Sequence, residues 1–192
     1  MLSRIARLIL RLGGWTIIGE RPSEPQGVVI AYPHTSNWDG FWALTCKVAL
    51  KLSDARFFGK HSLFWFPLGT LLRGMGGIPL DRAHAGGAVQ QAVDLLATGE
   101  PMLFALAPEG TRSKRDHWKN GFYRIAIQAD VPVTLAFLDF GHRRIGLGAT
   151  LKMTGDVEHD LSRIREEYAD VIGRRPELAS DIRFASDPLE RP

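Results

Sequence analysis

Short apolar runs, each separated from the next by a stretch with helical spacing, constrain this chain more than any other feature. Residues 28–32 (Val-Val-Ile-Ala-Tyr), 102–107 and 131–140 are short, continuous and rich in apolar or β-branched residues, which suits buried strands. Between them, residues 39–52 read as a helix that is apolar except for Lys47 and Lys51. Residues 86–97 read as another, with Ala88, Val89, Ala92, Val93 and Leu96 on its inner face and Gly99 after it. Residues 121–129 read as a third. Residues 56–59, 78–80 and 147–154 give further strands. The apolar stretch 61–73 is interrupted by Pro67 and reads as a broken or kinked helix. Residues 156–172 read as a polar surface helix, and the tail after Arg174 as polar and loose. Strands that alternate with helices imply an α/β fold: one domain whose mixed, mostly parallel sheet is flanked by helices.

Composition supports a single folded unit. With 192 residues, 45% hydrophobic and 23% charged, the chain has the length and apolar content to bury a sizeable core, and disorder is not expected. Its one cysteine excludes an intramolecular disulfide framework and fits a reducing compartment. No Cys/His spacing of the zinc type occurs, and no metal is expected.

The first 18 residues, MLSRIARLILRLGGWTII, are both apolar and basic. Arginines interrupt them too often for a signal peptide or for the ~18 apolar residues of a spanning helix. In helical projection Leu2, Ile5, Leu8, Ile9 and Leu12 form one stripe, and Arg4, Arg7 and Arg11 another. That pattern suits an amphipathic helix on an anionic membrane surface. A helix that covers the core with its arginines in water would look similar.

Two motifs carry the chemistry. The first is Tyr32-Pro33-His34-Thr35-Ser36-Asn37-Trp38-Asp39. Residues five apart do not share a helical face, so His34 and Asp39 meet only if a loop turns into a helix at Asp39. The carboxylate then holds one imidazole nitrogen and leaves the other free to take a proton. The competing reading is a helix-capping Asp39 beside an ordinary loop histidine. The second motif, Pro108-Glu109-Gly110-Thr111-Arg112-Ser113, follows an apolar strand, where open α/β sheets build their sites. Gly110 permits close backbone approach, Arg112 suits a phosphate, and Thr111 offers a hydroxyl. Its alternative is a turn in which Glu109 and Arg112 pair. A third stretch, residues 76–82, ends in Asp81-Arg82 and offers Arg82 as a second cation or as a strand-end ion pair.

These blocks, in this order, resemble the glycerolipid acyltransferase superfamily, typified by lysophosphatidate acyltransferases. His34 and Asp39 match its His-x-x-x-x-Asp. Residues 77–82 match its Gly-x-x-x-x-Asp-Arg-like block, and residues 108–113 its Pro-Glu-Gly-Thr-Arg-Ser. Val131-Pro132-Val133 match its Val-Pro strand, while Lys60, Lys119 and Gly121 resemble flanking positions. The likeness covers residues 28–137. The chain departs from the family pattern at Pro33, Ala107 and Leu135, where Asn, Phe and Pro are common; these bear on substrate identity more than on reaction type.

The resemblance implies a membrane-surface helix over residues 1–18, an acyltransferase domain over 19–174, and a polar tail over 175–192. It implies transfer of a fatty acyl group from a thioester, carried by coenzyme A or acyl carrier protein, to the hydroxyl of lysophosphatidate in phospholipid biosynthesis. His34 would be the general base and Asp39 its orienter. Arg112, Arg82 and Lys60, with Glu109, Gly110 and Thr111, would bind the acceptor. Trp38, Trp42, Phe64 and Trp65 would line an acyl groove or face the membrane. No cofactor is implied beyond the thioester co-substrate. The expected location is peripheral, on the cytoplasmic side of a membrane. Glycerol 3-phosphate or another lyso-lipid is an alternative acceptor, and a non-catalytic lipid-binding relative an alternative class. Nucleic acid is not expected, because no recognition motif appears. Cys46 sits deep in an apolar helix and reads as buried and inert.

Overall fold

The computed structural model describes residues 1–81, 87–186 and 188–189. In chain order the elements are α1 (Leu2–Leu12), β1 (Thr16–Ile18), β2 (Gln26–Tyr32), α2 (Asn37–Ala49), β3 (Ala55–Lys60), α3 (Leu68–Gly74) and β4 (Gly77–Leu80). They continue with α4 (Gly87–Leu96), β5 (Met102–Leu106), α5 (Gly121–Gln128), β6 (Val133–Asp139), β7 (Arg144–Leu151) and α6 (Val157–Tyr168). Seven strands form one sheet in the order β1-β7-β6-β2-β5-β3-β4. All neighbouring pairs run parallel except β6 and β7, whose connection is a short hairpin. The architecture is the mixed, mostly parallel α/β sheet expected from the alternating pattern.

The strands are near-continuous apolar runs because both faces are covered. Val28 and Ile30 of β2, Phe104 of β5 and Val133 and Leu135 of β6 pack against α4, α5 and α6. Val29, Leu103 and Leu147 point to the opposite face, where α2 and α1 lie over Leu138 and Ile145. The 61–73 segment is broken as Pro67 requires: a 3-10 turn at His61–Leu63, then α3.

Three local readings need correction. The N-terminal helix does not run to residue 18. It ends at Leu12, and Gly14, at φ 77°, turns the chain into β1, an edge strand paired with β7. Helix α6 is not merely a surface helix. Asp160, Leu161, Ile164 and Tyr168 are buried, and the Asp160 carboxylate accepts hydrogen bonds from the Tyr123 hydroxyl (2.8 Å) and the Thr154 N–H (2.8 Å). A polar count misses a buried carboxylate whose partners satisfy it. The tail is not loose either. Phe184 packs against Phe122 and Tyr123, the Arg183 carbonyl accepts from Trp118 N–H at 2.8 Å, and Ser180 is buried.

Helix α1 docks on α2 through Ala6 and Leu10. This leaves Leu2, Ile5, Leu8, Ile9 and Leu12 exposed next to a row of arginines. Among the described residues, no helix is long and apolar enough to cross a membrane.

Candidate functional site

Strands β2 and β5 are neighbours in register, with Ile30 opposite Leu106. His34 lies four residues beyond Ile30 and Gly110 four beyond Leu106, so the sheet brings the two motif loops side by side at the strands' carboxyl ends. This is where open α/β sheets place their ligands.

The first loop becomes α2 through a capping box. The Ser36 hydroxyl accepts from the Trp38 N–H, and Asp39 Oδ2 accepts from the Thr35 and Ser36 N–H groups at 2.7 Å each. The same Oδ2 lies 3.5 Å from His34 Nδ1. Capping and orienting, alternatives on sequence grounds, are therefore one arrangement: the carboxylate that starts the helix also faces the imidazole. Asp39 is 1% exposed, and its Oδ1 has no hydrogen-bond partner among the described residues. A separation of 3.5 Å is long for a hydrogen bond.

Glu109 differs from its expected role. It is 1% exposed, its Oε2 accepts from the His34 backbone N–H at 2.5 Å, and its Oε1 accepts from the Ser180 N–H at 2.9 Å. It neither pairs with Arg112 nor reaches the cleft as a substrate ligand. Burial pushes its pKa up, and the hydrogen bonds from His34 and Ser180 offset only part of that rise. It is a support beneath the His34 loop.

Two cavities meet at His34, one on each face of the sheet. The larger, about 700 Å³, lies on the α4–α5 side. Phe58, Phe104 and Ile125 form part of its wall, and Lys60, Gly110, Thr111, Arg112 and Lys119 surround it. Gly110 has φ 64°, a conformation that favours glycine, and the Lys119 side chain passes over it, 2.7 Å from where a Cβ would stand. Lys60, Arg112 and Lys119 form no ion pair among the described residues. Three cations around one cavity favour an anion with several oxygens. Lys119 was noted in the sequence only as a family-like flank; its packing over Gly110 brings it to the cleft. Arg82 lies outside the described residues.

The smaller cavity, about 310 Å³, runs beneath α2 and is almost wholly apolar. Ala31, Gly40, Ala43, Ala105, Ala136 and Gly146 stand where a filled core would carry larger side chains. Leu106 and Ala107 border both cavities. Cys46 lines this one, and burial pushes its thiol up to about 12, which leaves it unreactive as a nucleophile.

The four aromatics expected to line an acyl groove or face the membrane line neither cavity. Trp38 and Trp65 are exposed by 52% and 60%. Phe64 packs over Gly59 and Gly69, and Arg73 lies over its ring. Trp42 belongs to the α1–α2 contact, tilted against Trp15 with ring centroids 5.5 Å apart. The apolar cavity is walled by small residues instead, because an internal void needs absent side chains, not large ones.

Residues 15–135 match the family model described as Acyltransferase. No curated protein matches the chain. Among solved structures, the fold is similar to the crystal structure of the 1-acyl-sn-glycerophosphate (LPA) acyltransferase, PlsC, from Thermotoga maritima. The TM-score is 0.59 at 19% identity, over 88% of this chain and 75% of that one.

Proposed function

The chain belongs to the acyltransferase family, and from that premise we propose that it transfers a fatty acyl group from a thioester to the hydroxyl of lysophosphatidate, with His34 as general base. The observation that carries this reading is the position of His34 between a cation-lined cavity and an apolar one. A phosphorylated acceptor and a hydrocarbon chain need opposite surroundings, and a proton acceptor must stand where the two meet.

In this reading the acceptor's phosphate binds at Arg112, Lys60 and Lys119, and the acyl chain enters the cavity beneath α2. Asp39 faces Nδ1, so Nε2 takes the proton from the acceptor hydroxyl. The oxygen attacks the thioester carbonyl and forms a tetrahedral intermediate. The carbon–sulfur bond then breaks, and the thiol leaves with the proton returned by the imidazolium. The carrier is coenzyme A or acyl carrier protein, and the place of the reaction is phospholipid biosynthesis. No further cofactor takes part.

The exposed Leu2, Ile5, Leu8, Ile9 and Leu12 stripe, flanked by Arg4, Arg7 and Arg11, supports peripheral attachment to an anionic membrane surface, on the cytoplasmic side. Because β1 belongs to the sheet, the attachment is tested by substitution and not by deleting residues 1–18. The double variant Leu8→Gln/Leu12→Gln should cosediment less with anionic liposomes and keep its melting temperature; unchanged cosedimentation refutes the attachment.

The function is tested by thiol release from a long-chain acyl thioester, presented on coenzyme A and on acyl carrier protein, with and without lysophosphatidate. Acceptor-dependent release that is lost in His34→Ala supports acyl transfer with this base. Equal release with and without acceptor refutes it.

A further inference from the structure

The stretch from residue 173 to 184 crosses behind both motif loops. Gly173 presses on Pro33 and Thr35, the two neighbours of His34: a Cβ there would meet Pro33 Cβ at 3.1 Å and Thr35 Oγ1 at 3.2 Å. The Arg175 N–H donates to Thr35 Oγ1 at 3.2 Å. Most contacts converge on Ser180, which is 1% exposed. Its N–H donates to Glu109 Oε1 at 2.9 Å, its carbonyl accepts from the Tyr32 hydroxyl at 3.2 Å, and its own Oγ accepts from the Arg115 N–H at 3.1 Å. Glu109 in turn accepts from the His34 N–H.

We propose that Ser180 is a positioning residue of the site, one that locks the loop bearing His34 and the loop bearing Arg112 into a single register. Its functional half rests on the acyl-transfer reading above. Every polar group of Ser180 is used, and together they reach three segments: the end of β2, the Glu109 turn, and the loop three residues past Arg112. No other described residue joins those three segments. A base and a phosphate clamp on separate loops work together only at a fixed separation, because small misplacement of a reacting group is costly in rate. The buried hydroxyl of Ser180 supplies the link on the arginine side. The Glu109 carboxylate, held between two N–H groups, supplies it on the histidine side.

Ser180→Ala removes the acceptor for Arg115 N–H together with the hydroxyl's own hydrogen bond to Glu109, and leaves the backbone bonds in place. Ser180→Cys fills nearly the same volume with a much weaker acceptor and so separates packing from hydrogen bonding. The first readout is amide hydrogen exchange, which needs no substrate. Both variants should exchange faster in the peptides covering 33–36 and 110–117, with β3 and β4 unchanged. Wild-type protection of both loops overturns the proposal, and so does a rise spread evenly over the chain. The second readout is acceptor kinetics. Loss of these hydrogen bonds should raise the KM for lysophosphatidate about tenfold in both variants, with the KM for the thioester within about twofold of wild type. Full recovery of the acceptor KM in Ser180→Cys makes the effect one of packing and overturns the positioning role. If wild type itself shows no acceptor dependence, the acyl-transfer reading fails, while the exchange result still decides whether Ser180 couples the loops.

Discussion

The two cavities that meet at His34 are built in opposite ways. The larger is defined by what its side chains add: a lysine at the end of β3, an arginine after β5, and a lysine arm crossing a glycine. The smaller is defined by what its side chains omit, with alanine and glycine where a sheet packed under a helix would carry leucine or valine. Charge is local and can be removed one residue at a time. A void is collective, and it disappears when any one of its walls is thickened. The same sheet supports both because its two faces are independent: alternate residues of β2 and β5 point to opposite sides, so one face can be tuned without disturbing the other.

Disabling the histidine at the junction of the two cavities should have the largest effect. His34→Ala is expected to lower turnover by about 10²–10⁴-fold with the melting temperature unchanged, as read by single-turnover thiol release beside thermal unfolding. Retained turnover would mean that the junction is not the reacting centre. Next comes the charged cavity alone. Arg112→Ala should lower kcat/KM for lysophosphatidate by about 10–100-fold, the loss of a charge-assisted hydrogen bond, and leave the thioester KM in place. Equal effects on donor and acceptor would erase the division between the cavities. Thickening the apolar wall by Ala43→Leu should shift preference toward shorter acyl chains. Each excluded methylene is worth about fourfold in kcat/KM, from the ~0.8 kcal/mol its burial contributes, and competition between thioesters of different length reads this directly. An unaltered length profile would place the chain elsewhere.

The smallest effect on turnover is expected at Asp139, on the outer end of β6 beyond the cavity wall. Its carboxylate is fully buried and accepts from Arg144 Nη2 (2.6 Å), His142 Nδ1 (2.8 Å) and the His142 and Ile172 N–H groups. Burial alone would raise its pKa, but these hydrogen bonds outweigh it and hold the group below the ordinary aspartate value of 3.8. A depressed carboxylate contributes stability that is complete above the unfolded value and is lost as pH falls through the folded one. Asp139→Asn should therefore lower the melting temperature at pH 7 and flatten its decline below about pH 4, with the acceptor KM unchanged. A variant with the same acid limb as wild type would show that the hairpin is held by something else.

The central strands β2, β5 and β6 were legible because a strand buried on both faces must be apolar throughout, and the helices between them carried clear stripes. That His34 and Asp39 stand near each other was legible from the motif together with the resemblance; the spacing alone fits equally a capping Asp39 beside an ordinary loop histidine. Thr16–Ile18 was not, since three residues carry no periodicity and their partner is Arg144–Gly146, far along the chain. Nor was the docking of residues 175–184. Their contacts run largely through backbone N–H and C=O groups, which every sequence supplies, so composition read the segment as loose. Glu109 was placed on the substrate by the resemblance; its burial became visible only with Ser180 across from it. The aromatics were expected in a groove or facing a membrane because they are large and apolar, whereas the apolar cavity under α2 exists by the lack of such side chains.

The pairing of β1 with β7 also sets a sequence of events during synthesis. Thr16 waits for Arg144, about 130 residues downstream, and at ~5–20 residues per second that interval is on the order of ten seconds. Throughout it, α1 and its leucine stripe have no completed sheet edge to tether them. The strand that follows the leucine stripe is therefore fastened to the sheet only after β2, β5 and β6, the strands that hold the two motif loops and the cavity walls, have all been made.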